Sequence, residues 1–159
     1  MDMHVEQRFL GHRPWHQGRG MPWPGQACHV VVVTRGCQPW FSSFHVACEA
    51  VRGFRQPSAT CDAVLLAWVL MPGHAHWLLQ PGPRAPLTAV VSRMKATAGV
   101  QVNRMLARAG PLWEPAFDCS PLHEGGDLRV ASRQFVAEAL RSGSVDDFGS
   151  YPFWDCVWI

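Results

Sequence analysis

The sequence predicts one α+β domain built on an antiparallel sheet, and three observations predict it. Residues 29–34 contain four consecutive valines and residues 63–71 are wholly apolar, and both runs are of strand length. A Pro72-Gly73 turn follows the second run and returns the chain into a third, which ends at Leu79. Segments with apolar residues at helical spacing lie between and after these runs. Strands and helices that interleave around a tight hairpin favour an antiparallel α+β sandwich over a parallel sheet.

A chain of 159 residues suffices for one domain with a real core and is short for two. Apolar residues make up 48% and charged residues 16%, a composition that excludes extensive disorder. The net charge of +2 does not announce a nucleic-acid binder. The basic residues are Arg throughout except Lys95. Arg suits bidentate phosphate contacts and base stacking, although GC-rich coding produces the same bias. The six cysteines lack the short spacing of a zinc knuckle or redox pair. No signal peptide or bilayer-length apolar run is visible, so the chain reads as cytoplasmic with reduced, packed cysteines.

Residues 1–27 read as an irregular N-terminal arm, rich in Pro, Gly, Arg and Trp. Such an arm either lays Arg and Trp against DNA or frays as a terminus. Residues 28–159 read as the domain. Val30-Val31-Val32-Val33 marks a buried strand, and Gly36, Gln38 and Pro39 end it. Residues 42–54 read as a short helix. Residues 63–79 read as an antiparallel hairpin. Residues 86–108 give the strongest helix, with Leu87, Val90, Val91, Met94, Ala98, Val102 and Met105 on one stripe. Arg93, Arg104 and Arg108 flank that stripe, either as a solvated edge or as a phosphate-facing ridge for DNA. Residues 112–123 read as irregular or as a short strand. Asp127 suits an N-cap, a helix over 128–142 follows, and Gly143 suits its stop. The aromatic tail from Tyr151 onward is apolar enough to pack back onto the domain.

His74 and His76 carry the chemistry. Residues two apart in a strand share a face, so the two imidazoles stand side by side. That arrangement suits a divalent metal, and equally two ordinary polar positions.

The surrounding residues narrow the choice. Ala67-Trp68-Val69-Leu70-Met71-Pro72-Gly73-His74-Ala75-His76-Trp77-Leu78-Leu79 resembles the signature of the REP-associated tyrosine transposases. These are HUH-type single-strand DNA transposases, with an insertion-sequence-200-like domain. Their signature is an apolar strand ending in Met-Pro, then an acidic residue, then His-hydrophobic-His. Trp113 to Phe117 is similar to the family's Trp-Gln-x-x-Phe segment, and Gly126-Asp127-Leu128 to its Glu-Asp-Leu helix start. Tyr151-Pro152-Phe153-Trp154-Asp155 is similar to its closing Tyr-Pro-x-Trp-Asp.

The resemblance implies a ferredoxin-like antiparallel sheet with helices packed on one face. It implies single-stranded or hairpin DNA as partner, and no membrane. It also implies a divalent Mg or Mn ion held by two histidines, here His74 and His76, which polarises the scissile phosphate. In the family a tyrosine on the late helix attacks that phosphate and keeps its energy in a covalent link.

The late helix departs from that pattern. The family's nucleophilic tyrosine falls on Gln134, whose carboxamide forms no such link. Its next metal ligand, an Asn one turn later, falls on Glu138. Glu138 shares a face with Gln134 and is either a further metal ligand or an exposed carboxylate paired with Arg133 or Arg141. Gly73 replaces the acidic residue, Asp118 a His and Ala139 a Pro. Tyr151, the chain's only tyrosine, matches the tail segment and not the helix. The expected function is therefore a transposase-family DNA binder whose covalent step is lost. The alternatives are a non-enzymatic remnant and a metal-dependent nuclease that uses water.

Overall fold

A computed structural model describes residues 21–123, 125–143 and 149–158. Most of the N-terminal arm, residues 1–20, lies outside the described residues. The elements run β1 (Cys28–Val33), α1 (Phe44–Phe54), a single turn α2 (Pro57–Thr60), β2 (Val64–Met71), β3 (His74–Gln80), α3 (Leu87–Leu106), β4 (Asp118–Pro121), α4 (Leu128–Ser142) and β5 (Trp154–Cys156). The strands form one sheet in the order β4-β1-β3-β2-β5, and every pairing is antiparallel.

This is the expected α+β class. The β1-α1-β2-β3-α3-β4 order with the strand sequence β4-β1-β3-β2 is the ferredoxin-like core. Its α1 and α3 lie together on one face, as expected. The further helix α4 lies on the opposite face. Side-chain parity shows the division. Val30, Val32, Trp68, Leu70, Ala75, Trp77 and Leu79 join α1 and α3 in one hydrophobic core. Ala67, Val69, Met71 and Leu78 face the other way and join Phe135, Val136, Ala139 and Leu140 of α4 in a second core.

Local chemistry accounts for the boundaries. Four consecutive valines favour the extended backbone of β1 and fill both faces of the sheet. The expected helix start at residue 42 moves to Phe44, because Trp40–Ser42 forms a separate 3-10 turn after Pro39. In α3, six residues of the expected stripe are buried. Met105 is 45% exposed, since the last turn runs off the sheet and Ala107 caps it in the left-handed conformation. In α4 the Asp127 side chain accepts from the Arg129 amide, satisfying one orphan N–H of the first turn. The helix then ends at Ser142 against Gly143, as expected.

The tail does more than pack back. It adds β5 as a fifth strand, pairing Ala67 with Cys156 and Val69 with Trp154. The Tyr151 hydroxyl donates to the Leu70 carbonyl at 2.5 Å. Of the cysteines, Cys28, Cys119 and Cys156 are buried, and none of the six forms a disulfide.

Candidate DNA and metal site

The face of the sheet under α4 holds the candidate site. The β1–β3 register sets Val33 opposite His74 and Val31 opposite His76. His74 and His76 therefore point toward the α4 side, while Ala75 enters the other core. Their ring centroids are 5.0 Å apart. His76 is 4% exposed and His74 is half-buried. The Nε2 atoms of both rings are shielded from solvent.

A third histidine joins them, and sequence reasoning did not single it out. His29 on β1 lies opposite Leu78 and so diagonally across from His76 on the same face. His29 Nε2 and His76 Nδ1 are hydrogen-bonded at 2.9 Å. The signal was present: one imidazole directly before four valines, with the parity of Val31 and Val33. It needed the β1–β3 register before it could be read.

Burial sets the protonation of all three rings. It pushes the His29 and His74 imidazoles down to about 4. His76 falls well below the ordinary histidine value, through burial first and then through charge repulsion from His74 and His29. Neutral rings at pH 7 keep the basic nitrogen that metal ligation needs.

Helix α4 covers this face, and the residue it brings to the histidines is Phe135. The Phe135 ring meets His29 edge-on, with centroids 4.9 Å apart at 87°. It lies 6.4 Å from the His76 ring. Gln134, one residue and about 100° away around the helix, is exposed. Glu138 is exposed as well. Among the described residues Glu138 forms no ion pair with Arg133 or Arg141. The Arg141 Nε donates instead to the Ala137 carbonyl.

The donor set decides how far a divalent ion fits. Two adjacent neutral imidazoles on one face suit such an ion as a pair. Among the described residues no group of three or more His, Cys, Asp or Glu side chains is placed to hold a metal ion. Glu138 is therefore not gathered with His74 and His76. Asp118 shares their face but is separated from His76 by the Val31 strand position.

A family model described as IS200-like transposase matches residues 25–132. The chain belongs to that transposase family. The match includes both histidines of the pair and His29, and it stops two residues short of Gln134. Two solved structures share the fold of this family member. One is a REP-associated tyrosine transposase bound to a REP hairpin. It is 16% identical with a TM-score of 0.63, and the alignment covers 88% of this chain and 82% of that one. The other, from Deinococcus radiodurans, is described as a candidate transposase. It is 19% identical with a TM-score of 0.53, over 78% of this chain and 97% of that one. No curated protein matches the chain significantly.

The remaining expected site residues of this transposase-family chain lie elsewhere. Arg93, Arg104 and Arg108 belong to α3 and its end, whose buried stripe enters the core on the face opposite the histidines. Arg93 and Arg104 are exposed. The Arg108 guanidinium donates to Asn103 Oδ1 at 2.6 Å and lies 4.9 Å from the Trp40 ring centroid. Tyr151 is engaged with Leu70, and burial raises its phenol to about 12, the opposite of an activated nucleophile. No helix among the described residues is long and apolar enough to cross a membrane.

Proposed function

We propose that this transposase-family protein binds single-stranded or hairpin DNA on the His74–His76 face and lacks the covalent cleavage step. One observation carries the reading. Helix α4 presents Phe135 to the histidines and Gln134 to solvent, and the chain's only tyrosine is bonded elsewhere. No phenol therefore stands ready to attack a phosphate. The hairpin bound to the structurally similar transposase supports DNA of that shape as the partner.

In this reading residues 28–159 act as one cytoplasmic domain. His74 and His76 would hold a divalent ion such as Mg or Mn. When bound, that ion would supply positive charge beside a phosphate oxygen. Arg93 and Arg104, with Arg108 more constrained, form a separate phosphate-contacting ridge on α3. Glu138 is an exposed carboxylate within reach of solvent, and any role in ligation requires its side chain to turn toward the pair.

The test is direct. Labelled hairpin and unstructured oligonucleotides are titrated with protein over a range of salt, and then incubated with Mn²⁺ and resolved under denaturing conditions. Binding should weaken steeply with salt, and no protein–DNA adduct should form. A covalent adduct sinks the lost-nucleophile reading. Binding that ignores salt, or none at all, favours a remnant without a nucleic-acid role. Cleavage without an adduct that disappears in His74→Ala identifies a nuclease that uses water.

A further inference from the structure

We propose that His29 is a positioning residue that fixes which nitrogen of His76 is basic. The inference rests on the reading of His74 and His76 as a metal-holding pair, and concerns a residue outside that pair.

The geometry restricts His29. Its strand is held between β3 and β4 by two antiparallel ladders. Its ring lies 5.2 Å from that of His76, at 36°. Phe135 packs against it as well, with near-perpendicular rings and centroids 4.9 Å apart. These contacts hold the ring with Nε2 directed at His76 Nδ1, 2.9 Å away.

Two neutral imidazoles joined by one hydrogen bond share a single proton, and two arrangements exist. In the first, His76 Nδ1–H donates to His29 Nε2, and His76 Nε2 keeps its lone pair. In the second, His29 donates and His76 Nε2 bears the proton. Only the first leaves His76 with a basic nitrogen for a metal, because Nδ1 of His76 is occupied in both. A partner that binds one ring nitrogen sets the tautomer, orientation and basicity of the other. His29 thus takes the place that a carboxylate or backbone carbonyl holds behind many metal-ligating histidines. The same bond prevents His29 from offering Nε2 as a ligand itself. This agrees with the absence of a three-donor group among the described residues.

The test combines a tautomer readout with metal binding. Long-range ¹H–¹⁵N imidazole spectra of the metal-free protein report the tautomer of His76. Titration with Mn²⁺ alone, followed by the signal of the free ion in electron paramagnetic resonance, reports affinity. Wild type should show His76 as the Nδ1–H form. His29→Phe keeps a flat ring against Phe135 but accepts no proton. It should move His76 toward the Nε2–H form and weaken Mn²⁺ binding about 10–100-fold. His29→Gln, whose amide oxygen accepts a hydrogen bond at similar reach, should recover most of both signals. A wild-type His76 in the Nε2–H form overturns the proposal. So does a folded His29→Phe with unchanged tautomer and affinity. If wild type binds no Mn²⁺, the metal reading of the pair fails, and the tautomer spectra still decide the role of His29.

Discussion

The three histidines make folding stability depend on pH. His29 and His74 titrate near 6.5 when unfolded and near 4 when folded, because burial disfavours the charged ring. Between those values the unfolded chain binds more protons than the folded one. Stability is therefore complete above pH 6.5 and declines as pH falls toward 4. The full effect is on the order of 3 kcal/mol for each ring. Urea midpoints of the protein in chelator should drop between pH 7.5 and pH 5, and His74→Asn should flatten that drop; a pH-independent midpoint would contradict the burial of the rings. At this scale the sequence disclosed some of the site and withheld the rest. His74 and His76 were legible because a spacing of two decides the face within one strand. His29 was not, since its contact with His76 joins residues 47 apart. Phe135 was hidden for a related reason: one step along a helix turns about 100°, and only docking onto the sheet decides which neighbour faces inward.

At the scale of elements, α1 and α3 meet at a point of close backbone approach. A Cβ placed on Gly53 would lie 2.4 Å from Ala98 Cα, and the atoms it meets are backbone. Neither helix retreats without opening the core they share with Trp68 and Trp77. Gly53→Ala should cost about 2–3 kcal/mol in denaturant unfolding despite its better helix propensity. A neutral or stabilising result would show that the helices separate freely. The elements themselves were largely written in local chemistry. The hairpin, α3 and α4 followed from Pro72-Gly73, the apolar stripe of α3 and the Asp127 cap. The misplaced details are Met105 and the start of α1, and both depend on where a helix meets the sheet. The fifth strand was illegible because Trp154–Cys156 is too short to declare itself without β2 beside it.

At the scale of the whole molecule, the sheet separates the two sets of residues proposed to meet metal and DNA. The histidine pair lies on the α4 side, and the α3 arginines lie on the other. Metal and phosphate contacts should then be separable by mutation. A double variant with Arg93→Ala and Arg104→Ala should reduce the slope of log affinity against log salt by about 2, one for each phosphate contact. It should leave Mn²⁺ binding unchanged. An unaltered slope would remove α3 from the DNA interface. The fold class was legible from alternation and turn signals. The strand order was not, since it rests on pairings of β1 with β3 and β4 that no local pattern encodes.

The short tail strand has a consequence for life in a crowded solution. β2 reads Val-Leu-Leu-Ala-Trp-Val-Leu-Met, and β5 occupies the backbone hydrogen-bonding groups along its outer side. Hydrogen bonds from Leu70 to Phe153 and from Val157 to Leu66 extend that cover. Without it, an apolar strand free of charge would offer its unpaired edge to the next molecule. A chain truncated before Tyr151 should form soluble oligomers and then aggregates at concentrations where the full chain scatters little light. If it remains dispersed, another part of the molecule guards that edge. Aggregation on truncation would give the tail from Tyr151 to Cys156 the role of a guard against misassociation.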